Sequence, residues 1–249
     1  MDPQTEQLNQ RRTLTPEQVV DVYKQVDARI EQLRQKPHIK KAADLNAAHL
    51  PVESYPYHNY THINDVFRES LFFALADKAL GVPDALNDHQ LELLATAAAY
   101  HEIEYHHGVK GHEQRGADIS EEDLPTIYDF SDRHLIADAI KDTQLITIDN
   151  HLAQIQTPTN VLSRYLMDAD MSNFGRTDFF DKMRLVFEET RKTTISDVPH
   201  RDFEEKTRAF LTHHEWKSDA AKLLREPQRL ENVQALQTML NEPSGLPAK

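Results

Sequence analysis

The chain has 249 residues, with 28 Lys and Arg against 41 Asp and Glu, a net charge of −13, 14 His, no Cys and six Gly. Such a negative charge excludes a general binder of nucleic-acid polymers and a polybasic membrane-surface protein, because phosphate contact needs concentrated Lys and Arg. The lack of cysteine excludes a disulfide framework, a thiolate zinc site, a cysteine nucleophile and an iron–sulfur cluster, so metal chemistry would have to rest on His and carboxylates.

No apolar stretch approaches the ~20 residues of a membrane span, and the N-terminal segment has no apolar core of the signal-peptide kind. The expectation is a soluble cytoplasmic protein. In chain order, residues 1–13 read as a disordered arm. Val19, Val20, Tyr23, Val26, Ile30 and Leu33 then recur at three- and four-residue steps, which predicts a helix over 16–36. Thr15 and Gln18 form a capping-box pattern at its start, with Pro16 at the first helical position.

Further helices are predicted over 62–80, stopped by Gly81, and over 88–103 through an Ala-rich run. Others follow over 131–147, 159–171, 178–193, 201–213, 218–224 and 227–240. The segment His213, His214, Glu215, Trp216 reads as a helix end with cations near its C-terminus. Residues 241–249 are polar and proline-bearing and read as a disordered tail. No segment alternates as a strand, and six glycines are few for the turns of a hairpin-rich fold. The expected fold class is all-α, one helical bundle over 14–240.

Seven of the fourteen histidines, His58, His62, His89, His101, His106, His107 and His112, fall inside one 55-residue window. His58 and His62, four residues apart at a helix start, can project from one side. His101 and Glu102 close another predicted helix. Neighbours on a helix diverge by about 100°, so such a pair binds one ion most readily at a helix end. Asp168 and Asp170 close the apolar run of a third, where buried charge needs a partner. A metal is one such partner, an arginine or a helix terminus another, and spacing alone does not choose. Two imidazoles with carboxylates would suit one divalent ion among Mn, Fe, Co, Ni, Zn or Mg.

Taken together, His62, the His101-Glu102 doublet and Ala169-Asp170 resemble the ligand order of the HD-domain superfamily of metal-dependent phosphohydrolases. Tyr57-His58-Asn59-Tyr60-Thr61-His62, followed by Asp65-Val66, resembles an element shared by cyclic-nucleotide phosphodiesterases and some bacterial HD proteins. The doublet segment 99–108, the element 111–117 and the C-terminal helices extend the resemblance over about 56–240. It implies metal ligation by His62, His101, Glu102 and Asp170, with Asp168 the less favoured of its pair. It also implies that His58 protonates a leaving alkoxide, and that His106 or His107 lies near a metal-bound water. His58 and Glu102 are the catalytic candidates.

Around this set, Asn59 and Asp65 are candidates to orient the ligand histidines. Lys110 and Arg115 are candidates to hold a substrate phosphate, and His112 is a loop or neighbouring residue. Two departures from the family pattern stand out. Glu102 replaces an aspartate and reaches about 1.5 Å farther. Asp142 or Thr143 stands where dinuclear relatives carry a further histidine, which favours a single ion. The implied partner is a small phosphorylated substrate, with a nucleotide as first candidate, while an iron-dependent oxygenase ranks low for want of that histidine. A domain that has lost catalysis and binds a nucleotide or protein as a regulator is the alternative reading. Homo-oligomerisation through an apolar helix face is a further expectation, with no helix assigned to it.

Overall fold

The computed structural model describes residues 13–148, 151–193 and 199–242. Thr15 caps the first helix as its spacing predicts: Gln18 N donates to Thr15 Oγ1 at 3.2 Å, and Thr15 N donates to Gln18 Oε1 at 2.8 Å. Helix α1 (Pro16–Leu33) buries Val22, Val26, Ile30 and Leu33 along one face. It ends at Leu33 rather than at 36 because Pro37 disfavours helical backbone at the residue before it, and Lys36 is extended. The same proline opens α2 (Pro37–His49), a helix the periodicity does not predict. Half of its buried positions, His38 and Asn46 beside Ile39 and Ala42, are polar, so its inner face does not read as an apolar stripe.

Helix α3 (Tyr60–Ala79) is capped by Asn59, whose side chain accepts from Thr61 N at 2.8 Å. It is buried on nearly every side, and packs against α1, α4 (Asp88–Tyr100) and α7 (Ser163–Asp170) as the central element of the bundle. Helix α4 has its own capping box, Asn87 with Gln90, and stops at Tyr100 with His101 as its C-cap. Helix α5 (His112–Asp123) is also unpredicted, since its sequence is mostly polar. A Cβ at Gly116 would come within 3.0 Å of Tyr100 O, so this glycine lets α5 press against the end of α4.

Helix α6 (Phe130–Asp142) starts at an Asp129 cap. The predicted helix over 131–147 is too long. Leu145–Ile148 is strand β1, paired antiparallel with His151–Gln154 (β2), Leu145 opposite Gln154 and Ile148 opposite His151. This corrects the expectation of no strand: Ile146, Thr147 and Ile148 are β-branched and favour extended backbone. Helix α7 begins at Ser163 rather than at 159, because Asn160 Oδ1 turns back to accept from Leu162 N at 2.8 Å and Ser163 N at 3.2 Å.

A 3₁₀ turn (Ser172–Gly175) leads to α8 (Phe179–Thr193), α9 (His200–His213), α10 (Asp219–Leu224) and α11 (Glu226–Asn241), all close to their predicted ranges. At Gly175 a Cβ would collide with Arg225 O and Arg225 Cβ, so the junction of α10 and α11 sits directly on this turn. His214 departs from its expected role as a cation at the end of α9. It is buried, and burial together with Arg229 and Lys217 pushes its pKa down to about 3.

Among the described residues there are eleven α-helices and one two-stranded sheet, an all-α fold. One continuous apolar cluster joins α1 to α11. No helix among these residues is long and apolar enough to cross a membrane. Most of the expected arm and tail lies outside the described residues.

Candidate metal centre

Three separated stretches converge below the start of α3. His62 projects from its first turn, His101 and Glu102 follow α4, and Asp170 ends α7. One ligating atom from each of these four lies within 4.8 Å of all the others. His62 Nε2 is 3.2 Å from Asp170 Oδ1 and 4.0 Å from Glu102 Oε1, while His101 Nε2 is 4.0 and 3.8 Å from the same two oxygens. Metal–ligand bonds of ~2.1 Å would place tetrahedral donor atoms about 3.4 Å apart, within this spread. The doublet converges because the chain leaves the helix at this point, Ile103 N bonding to Tyr100 O and Tyr105 N to Glu102 O.

The residues fit a divalent cation on their own chemistry. His62 Nε2 and His101 Nε2 are buried without a hydrogen-bond partner among the described residues, a costly state for polar atoms unless something else binds them. His101 Nδ1–H donates to Ala98 O at 2.8 Å, which turns the Nε2 lone pair toward the carboxylates. Burial lowers the His101 pKa, so the ring stays neutral, as ligation requires.

Two further histidines border the cluster. His112, at the start of α5, is buried with Nε2 3.4 Å from Glu102 Oε2, and its Nδ1–H donates to Val109 O at 2.7 Å. Burial opposes its charge, but Glu102 carries its pKa up to about 9. In turn, burial would raise the Glu102 carboxyl, yet His112, His58 and His101 together hold it well below the usual carboxylate range. His58 is half-buried, with its ring 5.3 Å from that of His62.

Sequence reasoning missed the residue that holds His58. Glu189, on the inner side of α8, accepts from His58 Nδ1 at 2.6 Å, His58 N at 2.9 Å, Tyr57 N at 2.8 Å and Tyr105 Oη at 2.9 Å. Burial lowers the His58 pKa, but Glu189 and the neighbouring Glu102 more than offset this and raise it above its ordinary 6.5. The available signal was a carboxylate at Glu189 continuing the three-residue steps of Met183 and Val186 on one helix face. Tyr57, whose ring lies 4.7 Å from that of His62, was likewise not singled out.

The other predicted residues are placed away from the cluster. Asn59 caps α3 and donates to Tyr55 O and Pro56 O. Asp65 pairs with Lys182 at 2.9 Å and Arg176 at 3.3 Å. Neither is bonded to a ligand histidine, because closer partners claim them. His107 pairs with Glu104, and the His106 ring packs at a tilt between those of His49 and His107. Lys110 is exposed, while Arg115 donates to Lys110 O, Glu104 O and Gly108 O, bracing the loop instead of facing an open site. Thr143 Oγ1 donates to Ile140 O, and Asp142 accepts from Thr159 N and Oγ1. Asp168 faces away from Asp170 and accepts from Lys217 N, Ser218 N and Ser218 Oγ. His89 pairs with Asp132 at 2.8 Å.

The described residues form an all-α helical fold that gathers a His-His-Glu-Asp group able to hold a metal ion. No family model matches the chain, and no curated protein matches it. Among solved structures the chain is similar to a predicted HD superfamily hydrolase from an uncultured Thermotogales bacterium. The two share 19% identity over 84% of this chain and 98% of the other, with a TM-score of 0.53.

Proposed function

We propose that the protein is a metal-dependent hydrolase of phosphate esters, acting on a nucleotide or another small phosphorylated metabolite. The reading is carried by two buried atoms without a hydrogen-bond partner among the described residues, His62 Nε2 and His101 Nε2, gathered with the carboxylates of Glu102 and Asp170. The description of the similar structure as a predicted HD superfamily hydrolase supports the hydrolase class. His62, His101, Glu102 and Asp170 would hold one divalent ion, which when bound polarises a phosphoryl oxygen and makes hydroxide available near neutral pH.

The chain's own residues do the rest. Glu189 fixes the His58 ring through Nδ1 and favours its protonated form. Nε2 is then the ring atom able to hand a proton to a departing oxygen. His112 offsets the charge of Glu102 and limits repulsion of an anionic substrate in this acidic chain.

Elemental analysis of the wild type beside Glu102→Asp and His101→Ala, with generic phosphomonoester and phosphodiester assays, tests the proposal. The expected result is one ion per chain with metal-dependent phosphate release, both lost in His101→Ala. A wild type that takes up no metal on addition, or a His101→Ala protein with metal and full activity, would refute it. The two assays also separate monoesterase from diesterase action.

A further inference from the structure

A polar cavity is walled by the β1–β2 hairpin, α9 and the segment leading into α10. It has a volume of about 240 Å³ and shares His213, His214, Glu215, Lys217 and Gln156 with an adjoining cleft of about 790 Å³. Two of its wall residues are more than nine-tenths buried and carry a polar atom without a partner among the described residues. They are His214 Nε2 and Gln154 Oε1. Each leaves a hydrogen-bonding capacity open in a cavity large enough for a small polar ligand.

The charges nearby select the ligand. Lys217 and Lys222 line the adjoining cleft with His213 and His214. Of its two acids, Glu226 is paired with Arg229 at 2.6 Å, and Glu215 stands beside the two lysines. Burial keeps His214 neutral, so it offers one N–H or one lone pair but no charge. Gln154 Nε2 is committed to Met167 O at 3.0 Å, which leaves Oε1 to accept from a ligand. The complementary group has one donor for Gln154 Oε1 and anionic oxygens for an imidazole N–H and for Lys217, whose Nζ also donates to Gln156 O at 3.2 Å, with Lys222 reached through the adjoining cleft. A phosphoryl group carrying one P–OH meets that description.

We propose that this cavity is a second site, separate from the metal centre, which binds the phosphoryl group of free phosphate or of a phosphorylated metabolite. Both of its walls are tied to α7. Gln154 bonds Met167 O, and Lys217 N bonds Asp168 Oδ1 at 2.8 Å, within one helical turn of Asp170. Occupancy therefore bears on the element that presents Asp170. That consequence rests on the function proposed above, whereas the binding itself does not.

Trp216, the single tryptophan, lines the cleft and donates from Nε1 to Glu226 Oε2 at 2.9 Å, so its fluorescence reports on this site. The test titrates the full chain with inorganic phosphate and with AMP at constant ionic strength, for wild type, His101→Ala and the double variant Lys217→Glu/Lys222→Glu. A saturable change in wild type and in His101→Ala, weakened about tenfold or more in the double variant, is expected. AMP binding about tenfold tighter than phosphate assigns the site to a phosphorylated metabolite, and equal affinities assign it to free phosphate. Absence of saturation, unchanged affinity in the double variant, or loss of the response in folded His101→Ala would overturn the proposal. Should the double variant lose its helical circular dichroism, Lys217→Ala takes its place, because it leaves the bond from Lys217 N to Asp168 intact. Metal loss in His101→Ala with phosphate binding intact separates failure of this site from failure of the metal centre.

Discussion

His214 makes stability depend on pH in a way that can be worked out beforehand. The ring is 7% exposed. Burial, then the charges of Arg229 and Lys217, push its pKa from an ordinary 6.5 to about 3. As pH falls through 6.5 the unfolded chain takes up a proton that the folded chain refuses, so stability declines, and the loss is complete only below the folded value. At about pH 5 the unfolded state has gained about 2 kcal/mol from this one group, against almost nothing at about pH 7.5. His214→Gln keeps a polar side chain and removes the titration. Urea unfolding in phosphate-free buffer at both pH values, followed by circular dichroism, should show wild type losing about 2 kcal/mol more than the variant. With a slope of about 2 kcal/mol/M the extra midpoint shift is about 1 M. Parallel pH profiles for the two proteins would refute the assignment of a buried, neutral His214.

Glu189→Gln sets the position of His58 against the metal centre. One amide N–H₂ would face donors now satisfied by a carboxylate, and the His58 pKa would fall. Turnover should drop about tenfold or more, and the alkaline limb of its pH profile should move to lower pH, with metal content unchanged. Loss of metal with turnover would instead make Glu189 part of the cation site. Gly175→Ala should destabilise by about 1–3 kcal/mol, since the new methyl meets the Arg225 backbone and not a movable side-chain end. Thermal melting should fall by about 2–4 °C for each kcal/mol, and an unchanged melting point would show that α10 and α11 do not rest on that turn.

The central elements of this fold were legible because their signals are local. Thr15, Pro16 and Gln18 specify the start of α1 within four residues, and the apolar spacing of α3, α8 and α9 survives folding with little change. Elements whose inner faces carry His, Asn or Glu were not legible. In α2, His38 and Asn46 are buried against Thr96, Tyr128 and Ala99, far away in sequence, and in α5 the buried His112 and Glu113 are polar, so a periodicity of apolar residues cannot register either helix. The hairpin was hidden by its length: four β-branched or aliphatic residues after a helix look like more helix until a second strand pairs with them.

The same division runs through the site. The sequence supplied the candidate ligands and their order, His62, His101, Glu102 and Asp170, through motifs that resemble the HD family, while the spacing of the carboxylates left open whether a metal or another partner meets them. Tertiary structure decided which carboxylate faces the cluster and which is spent elsewhere, turning Asp170 inward and giving Asp168 to the amides of Lys217 and Ser218. It also brought Glu189 to His58 across 131 residues of chain. Hydrogen bonds of that range depend on where helices cross, and crossing is set by packing, which no local pattern encodes.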